Sequence, residues 1–207
     1  MKPIEQFQSV WERAEELSVL HLYLSESVSG AIRKDELLRA EWAMRVSALD
    51  LYIHELTIQH MIEIFIGVRP PSAGYLRFRV SMETLRRVSD APLESVEAFE
   101  LDVRGQLSLQ SFQDPDKIAD AIRLCCDLEL WNQIAIHLGA PPADKVKQGR
   151  LLKKSLSAIV QRRHKIVHEG DMQPGFPRTA WPISRTDLQE VKLVIWQVVS
   201  AIDALVQ

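Results

Sequence analysis

The sequence has few of the features typical of secreted, membrane-spanning or disulfide-linked proteins. Only two cysteines occur in 207 residues, Cys125 and Cys126. Adjacent side chains on a helix point in different directions, so these two are poorly placed to bridge to each other or to chelate one metal. Two unpaired thiols are typical of a reducing compartment. Residues 1–17 lack the apolar core of a signal peptide, and no apolar run approaches membrane-spanning length. We therefore expect a cytoplasmic protein that does not associate with membranes.

Metal-binding patterns are missing as well. Neither an HExxH pattern nor a group of cysteines accompanies four of the six histidines, His54, His60, His137 and His164. Those arrangements are the common ones in zinc proteins. We expect neither a metal nor a cofactor.

The chain also lacks convincing β-hairpin and βαβ patterns, and helical periodicity dominates. With 46% apolar and 26% charged residues, it is long enough to bury a substantial core in one domain. We predict an all-α fold that spans residues 1–207. The predicted helices are 4–27, 34–66, 82–88, 93–109, 115–126, 128–138, 151–168 and one from Thr186 nearly to the C-terminus.

Glycine, proline and capping residues mark the predicted helix ends. Gly30, Gly67 and Gly170 are expected to end three helices, and Asp114 is expected to cap the helix that begins at Pro115. A capping box at 186–189 predicts the start of the last helix. Residues 75–80 are ambiguous between extended chain and turn, and 171–185, rich in proline, predict a loop.

Acidic residues are absent from one long segment. From Lys145 to His168 there are eight lysines or arginines and no aspartate or glutamate. The formal net charge of the whole chain is −3, so the residues outside this segment carry a net charge of −11. Such a segment attracts a polyanion. A solvated basic face paired with acidic neighbours explains the same pattern, so charge alone leaves both interpretations open.

An arginine interrupts the apolar stripe of the basic helix. Leu152, Leu156, Ile159 and Ile166 follow a helical spacing, and Arg163 takes the position between the last two. A half-buried charge costs stability unless something pairs with it, and such exceptions are frequent at functional sites. A structural ion pair, or an arginine that extends along the surface, explains the exception equally well.

Two histidines accompany this arginine. His164 and His168 are four residues apart, so they lie one helical turn from each other beside Arg163. Arginine presents a planar fork to phosphate oxygens, and histidine exchanges a proton near neutral pH. His168 also lies in the last helical turn, where the helix dipole favours an imidazolium. The three side chains are candidates for chemistry at a phosphate.

The stretch RRHKIVHEGD resembles the signature of the HEPN superfamily, in which an arginine, a polar residue and about three spacer residues precede a histidine. Here these are Arg163, His164 and His168, although asparagine is more usual at the polar position. Residues 39–56, RAEWAMRVSALDLYIHEL, are similar to the long helix that precedes the motif in prokaryotic members, especially the RiboL-PSP-type branch. The resemblance implies a HEPN-like bundle with a long central helix. Residues 70–142 then form an insertion-like run of short helices before the motif helix.

The resemblance also implies an activity. Many HEPN proteins are metal-independent endoribonucleases in toxin, antiviral defence or RNA-processing systems, and they dimerise so that two motifs face each other. The implied reaction is attack of a ribose 2′-hydroxyl on its phosphate, with His168 in acid–base chemistry and Arg163 stabilising the phosphorane. His164 would orient His168, contact phosphate or share the proton transfer. The protein would then be a homodimer that acts on RNA.

Further residues are candidates for supporting roles. Basic side chains near the motif are the expected RNA-binding residues: Arg150, Lys153, Lys154, Arg162 and Lys165. Asp50 and His54 are four residues apart on the long helix, where the carboxylate is a candidate to pair with Arg163 or to orient a histidine, and an exposed helix pair is the alternative. Glu55 is a weaker candidate for the same role. Trp181 is expected either to anchor its loop or to stack on a base. The same basic patch also fits a non-catalytic module that binds RNA, a nucleotide or a partner protein encoded nearby.

Overall fold

The computed structural model describes residues 1–27, 33–91 and 94–206, which form eight α-helices and no β-strand. This confirms the all-α prediction. The helices are α1 (Pro3–Ser27), α2 (Asp35–Phe65), α3 (Met82–Asp90), α4 (Ser95–Leu107), α5 (Pro115–Arg123), α6 (Leu130–His137), α7 (Lys145–Glu169) and α8 (Arg185–Val206). Two residues used to predict helix ends, Gly30 and Leu93, lie outside the described residues.

Helix α2 is the centre of the bundle, in contact with α1, α4, α5, α7 and α8. Its 31 residues make it about 46 Å long at 1.5 Å per residue. Six apolar residues follow a helical spacing along it, and all six are buried: Leu38, Trp42, Val46, Leu49, Ile53 and Leu56. Residues on other faces, such as Arg39, Ala48 and Met61, are buried as well, so the surrounding helices cover α2 on several sides.

A buried network of charges joins the first, second and last helices. Arg45 and Glu41 are both fully buried, and their side chains are 2.7 Å apart. Arg45 also pairs with Glu15 at 2.5 Å and donates to the carbonyl oxygen of Trp11 at 2.8 Å. Lys192 of α8 lies 3.1 Å from Glu41. Two cations therefore face two carboxylates, so that neither sign is buried without a partner.

Segment 70–142 packs on the same hydrophobic core as the long helices, because buried side chains of α4, α5 and α6 join those of α2, α7 and α8 in one cluster. Its first turn, Tyr75–Arg77, is a short 3-10 helix followed by extended chain at Phe78, which resolves the ambiguity over 75–80. The Ser72 hydroxyl lies within 3.0 Å of the carbonyl oxygens of Arg123 and Leu124. This contact joins the start of the segment to the end of α5.

Several predicted helix ends are confirmed, and others are wrong; α5, for example, ends at Arg123 rather than at Cys126. Asp114 caps α5 by accepting from the backbone N–H of Asp116 at 2.8 Å, and Gly170 ends α7 with a positive φ of 62°. However, α7 begins at Lys145 rather than at Leu151. The added turn packs on α6, where a Cβ at Gly149 would lie 2.9 Å from the carbonyl oxygen of Trp131. Only glycine lets the two helices approach this closely.

The capping box of α8 lies two residues before the predicted one. The Ser184 hydroxyl accepts from the backbone N–H of Asp187 at 3.3 Å, and the Asp187 carboxylate accepts from the backbone N–H of Ser184 at 2.7 Å. Thr186 lies inside the first turn instead of at its start. Both boxes fit the sequence rule, and the structure uses the one that begins at Ser184.

Candidate functional site

The candidate site lies where α7 ends and a loop folds back beside it. After Gly170, Asp171 also has a positive φ of 57°, and its backbone N–H donates to the carbonyl oxygen of Lys165 at 2.9 Å. The loop then returns, with the backbone N–H of Trp181 donating to the carbonyl oxygen of Asp171 at 2.8 Å. Met172 and Ala180 form an isolated bridge between the two arms. The predicted loop at 171–185 is therefore an ordered hairpin-like turn beside the motif.

A buried carboxylate holds this turn in place. Asp171 is fully buried, and one of its oxygens lies 3.0 Å from Arg39 Nε of α2 and 2.6 Å from Arg162 Nη2 of α7. Arg39 also donates to the carbonyl oxygen of Trp181 at 2.6 Å, and Arg162 donates to that of Pro182 at 3.1 Å. Both guanidinium groups therefore fasten the returning chain to the bundle.

This arrangement gives Arg162 a structural role that the sequence did not indicate. We expected it to bind RNA, but its guanidinium is engaged by Asp171 and Pro182 and lies 5.9 Å from the centre of the Trp42 ring. Its Nη2 is held by a buried carboxylate, which gives Arg162 a structural role in the turn. A contact with RNA through the rest of the guanidinium stays a prediction.

Arg163 has the opposite surroundings. Its side chain is half-buried, and its Nε is buried without a hydrogen-bond partner. Within the described part of the chain, no ion pair or hydrogen bond engages its guanidinium. The structural ion pair that would have explained the break in the apolar stripe is therefore not found there. The arginine beside it, Arg162, forms that pair.

The two histidines lie together at the surface of α7. His164 and His168 are both exposed, and their ring centroids are 5.8 Å apart with nearly parallel planes. Helix geometry separates them from Arg163, since about 100° per residue places His168 about 140° around the helix from it. One chain therefore groups the two histidines on one face and presents Arg163 on another.

A groove of about 670 Å³ separates the last turn of α7 from the returning loop. Lys165 and His168 line the helix side, and Arg178 and Trp181 line the loop side. Lys165 Nζ lies 5.9 Å from the centre of the half-buried Trp181 ring. Arg178 did not stand out in the sequence, because an isolated arginine in a proline-rich loop carries no periodic signal. Only the fold of the loop brings it to this groove.

The other expected RNA-binding residues fall into two groups. Arg150, Lys154 and Lys165 are exposed, and helix geometry places them on one face of α7 with His168. Lys153 instead lies 2.5 Å from Asp116 of α5, with about a third of its side chain exposed. The exposed basic stripe of α7 thus consists of Lys147, Arg150, Lys154 and Lys165, and Lys153 is outside it.

The carboxylates of α2 do not support the motif as expected. Asp50 accepts from the backbone N–H of Phe112 at 2.5 Å and from Gln113 at 3.1 Å, so it anchors the chain before α5. His54 lies 3.8 Å from Asp50, and its ring packs on Phe112. These contacts belong to the packing of α2 on the segment before α5. The proposed pairing of Asp50 with Arg163 is therefore wrong.

Glu55 also has a structural partner. It pairs with Arg104 of α4 at 2.8 Å. Burial raises the pKa of the Glu55 carboxyl, but the hydrogen bonds and charge of Arg104 outweigh that effect and leave the pKa below its ordinary value. Glu55 is thus an anion neutralised by Arg104 rather than a support for the motif.

The two thiols are poor candidates for chemistry. Cys125 is buried and Cys126 is half-buried, and both are free. Burial raises the pKa of each thiol, which disfavours the reactive thiolate. Over residues 1–27, 33–91 and 94–206, no cluster of three or more histidine, cysteine, aspartate or glutamate side chains is arranged to hold a metal ion. In the same ranges, no helix is both long and apolar enough to span a membrane.

Comparisons with protein-family models, with curated proteins and with solved structures return no match to this chain.

Proposed function

We propose that the protein is a metal-independent endoribonuclease of the HEPN type, with its site at the end of α7. The observation that carries the proposal is Arg163, a half-buried cation without a partner in the described chain, in the same two turns of α7 as the exposed pair His164 and His168. An unpaired charge at such a position lowers stability, so its presence favours a function that needs an anion there. The phosphate of an RNA backbone, which gains negative charge while the strand is cleaved, provides that anion.

The chemistry would proceed by attack within the RNA strand. A histidine takes the proton of a ribose 2′-hydroxyl as its oxygen bonds to phosphorus, and a second histidine protonates the departing 5′-oxygen as the other P–O bond breaks. Arg163 donates to the phosphate oxygens, where negative charge accumulates. The products are a 2′,3′-cyclic phosphate and a free 5′-hydroxyl. His168 is the main acid–base residue, and His164 is its neighbour on the same face.

The homodimer is part of this proposal. Because Arg163 and His168 lie about 140° apart around α7, one chain does not readily direct both at a single phosphate. A second copy whose motif faces the first supplies the missing group. We expect the mass in solution to be that of a dimer, and the specific activity to fall on dilution as the dimer dissociates. A protein that is monomeric at every concentration and remains fully active would contradict the composite site.

The test of the activity is incubation of the purified protein with RNA in EDTA. Cyclic phosphate ends should form, and His168→Ala should lower the rate by about 10²–10⁴-fold. His137→Ala is the matched control, because His137 is an exposed histidine on α6. Cleavage that requires a divalent metal, or that is equally fast in His168→Ala, contradicts the proposal.

A non-catalytic RNA-binding module is the second candidate, favoured by the basic stripe of α7, which continues well beyond the motif. In that case Arg163→Ala and His168→Ala would leave the cellular phenotype intact. Lys154→Glu would abolish it, because Lys154 is exposed on the stripe. A partner protein encoded nearby is an additional proposal of the same kind, tested by co-purification with and without the Lys154→Glu change.

A further inference from the structure

The groove between α7 and the returning loop combines features of a binding site for part of an RNA strand. Its volume of about 670 Å³ falls within the range of roughly 300–1,000 Å³ that is usual for small-ligand sites. One wall carries His168, the proposed acid–base residue, and the opposite wall carries the aromatic ring of Trp181. A ligand in the groove is therefore next to the reacting phosphate.

Trp181 is held in place by its own backbone. Its N–H donates to the carbonyl oxygen of Asp171, and its carbonyl oxygen accepts from Arg39, whose side chain is itself nearly buried. The indole ring is half-buried at the edge of the groove. A ring with a fixed backbone loses little freedom when a ligand stacks on it, which favours binding.

The charges of the groove suit a phosphate backbone. Lys165 and Arg178 are exposed cations on opposite walls, and Glu169 is the one carboxylate on the lining. Lys165 is near the Trp181 ring, but an exposed, flexible lysine gains little from a ring. A base that stacks on Trp181 gains more and releases Lys165 toward a phosphate.

We propose that this groove binds an unpaired nucleotide of the RNA next to the cleaved phosphate, with its base stacked on Trp181 and its backbone between Lys165 and Arg178. The inference depends on the proposed function in taking RNA as the ligand, and it adds that the substrate is single-stranded at this point. A base within a duplex is already stacked on its neighbours and is not available to an aromatic side chain. Duplex RNA is therefore a poor ligand for the groove.

The test measures binding without cleavage. The probe is a short mixed-sequence oligonucleotide with 2′-O-methyl riboses, which cannot attack their phosphates, used as a single strand and as a duplex. Trp181→Leu should weaken single-strand binding by about 5- to 150-fold, and Trp181→Phe, which keeps a stacking ring, should retain most of the affinity. Duplex binding should change little in either variant. Trp196→Leu is the control, because Trp196 is a partly exposed tryptophan of α8 that does not line the groove.

Two results overturn the inference. One is equal binding by Trp181→Leu, Trp181→Phe and the unmodified protein, and the other is a parallel loss of single-strand and duplex binding. If Trp181→Leu unfolds, Arg178→Ala provides the second measurement. It should reduce the slope of log affinity against log salt by about 0.7 for single strands, and an unchanged slope contradicts the inference.

The inference and the ribonuclease proposal fail in distinguishable ways. If ordinary RNA is cut in EDTA but Trp181→Leu binds single strands normally, only the groove assignment is wrong. If Trp181→Leu loses single-strand binding but ordinary RNA is not cut, the groove assignment stands and the ribonuclease proposal is wrong.

Discussion

Arg162 and Arg163 are neighbours in the chain with opposite surroundings. Arg162 is joined to buried Asp171 at 2.6 Å through its Nη2, whereas within the described residues no ion pair or hydrogen bond engages Arg163. Adjacent residues on a helix point about 100° apart, so one faces the returning loop and the other does not. The motif therefore consists of one arginine that builds the turn and one that remains available to a ligand.

Asp171 should be the residue of the turn whose charge matters most to stability. Asp171→Asn keeps a side chain that tolerates the positive φ but removes the charge shared by Arg39 and Arg162. Two poorly solvated cations would then lack their anion, and we expect the free energy of unfolding to fall by about 3–5 kcal/mol in urea denaturation.

Glu169→Gln is the control for this substitution, because Glu169 is an exposed carboxylate two residues earlier. It should change the free energy of unfolding by no more than about 0.5 kcal/mol. Equal effects of the two substitutions would show that the pairs of Asp171 contribute little.

His60 of α2 should give the stability of the protein a pH dependence of its own. Burial and then the nearby charge of Arg69 lower the pKa of His60 to about 4. The unfolded chain therefore binds a proton below about pH 6.5 that the folded protein does not accept. The free energy of unfolding should fall as the pH drops from about 6.5 to 4, by about 3 kcal/mol at most.

Urea denaturation across this pH range tests the role of His60. His60→Gln cannot take up the proton, so its stability should be flatter between pH 6.5 and 4, whereas His137→Gln at an exposed position should follow the unmodified protein. Carboxylates with lowered pKa values, Glu15, Glu55 and Glu63, lose their contribution only as the pH falls below about 4.5. If the free energy of unfolding of His60→Gln still falls between pH 6.5 and 4, another group is responsible for the pH dependence.

Among the elements, α8 has two possible starts under the capping-box rule, one capped by Ser184 and one by Thr186. Ser184 accepts from the backbone N–H of Asp187 in the structure, and Thr186 lies within the turn. Ser184→Ala should therefore lower the free energy of unfolding by about 1 kcal/mol, and Thr186→Ala should have a much smaller effect. Thermal or urea denaturation of the two variants tests this assignment, and a larger loss in Thr186→Ala would favour a helix that starts two residues later.

The elements also show why local patterns predict helices better than their ends. The apolar stripe of α2 repeats over many turns, so its signal is strong. By contrast, the start of α7 at Lys145 depends on the approach of Gly149 to Trp131 of α6. The glycine weakens the helical pattern in the sequence, and its reason lies in a neighbouring helix that the pattern does not include.

Across the whole molecule, positive charge is concentrated on one helix, α7. The eight cations between Lys145 and His168 stand against a net −11 in the rest of the chain, but tertiary contacts use some of them. Lys153 is paired with Asp116, whereas Lys154 is exposed on the basic stripe. The field toward solvent therefore comes from fewer cations than the sequence contains.

If the protein binds RNA as proposed, this difference predicts unequal effects of two adjacent lysines on that binding. Lys154→Ala should lower the slope of log affinity against log salt by about 0.7, the value for one phosphate contact with a single strand. Lys153→Ala should leave the slope nearly unchanged, because Lys153 already has a carboxylate partner. Titrations of 2′-O-methyl RNA at several salt concentrations measure both slopes, and equal slopes for the two variants would contradict a phosphate contact by Lys154.

The helices, the apolar faces that form the core and the unusual position of Arg163 can all be read from the sequence, because each depends on residues within a few turns of one another. The partners of the polar side chains cannot. Arg39 and Asp171, which pair with each other, are 132 residues apart in the sequence. Asp50 contacts the segment before α5, and Glu55 contacts α4, rather than the motif. Which arginine is free, and which loop forms the second wall of the groove, depend on these distant contacts. Side-chain pairing is set by how the helices pack, and packing couples parts of the chain that no local pattern connects.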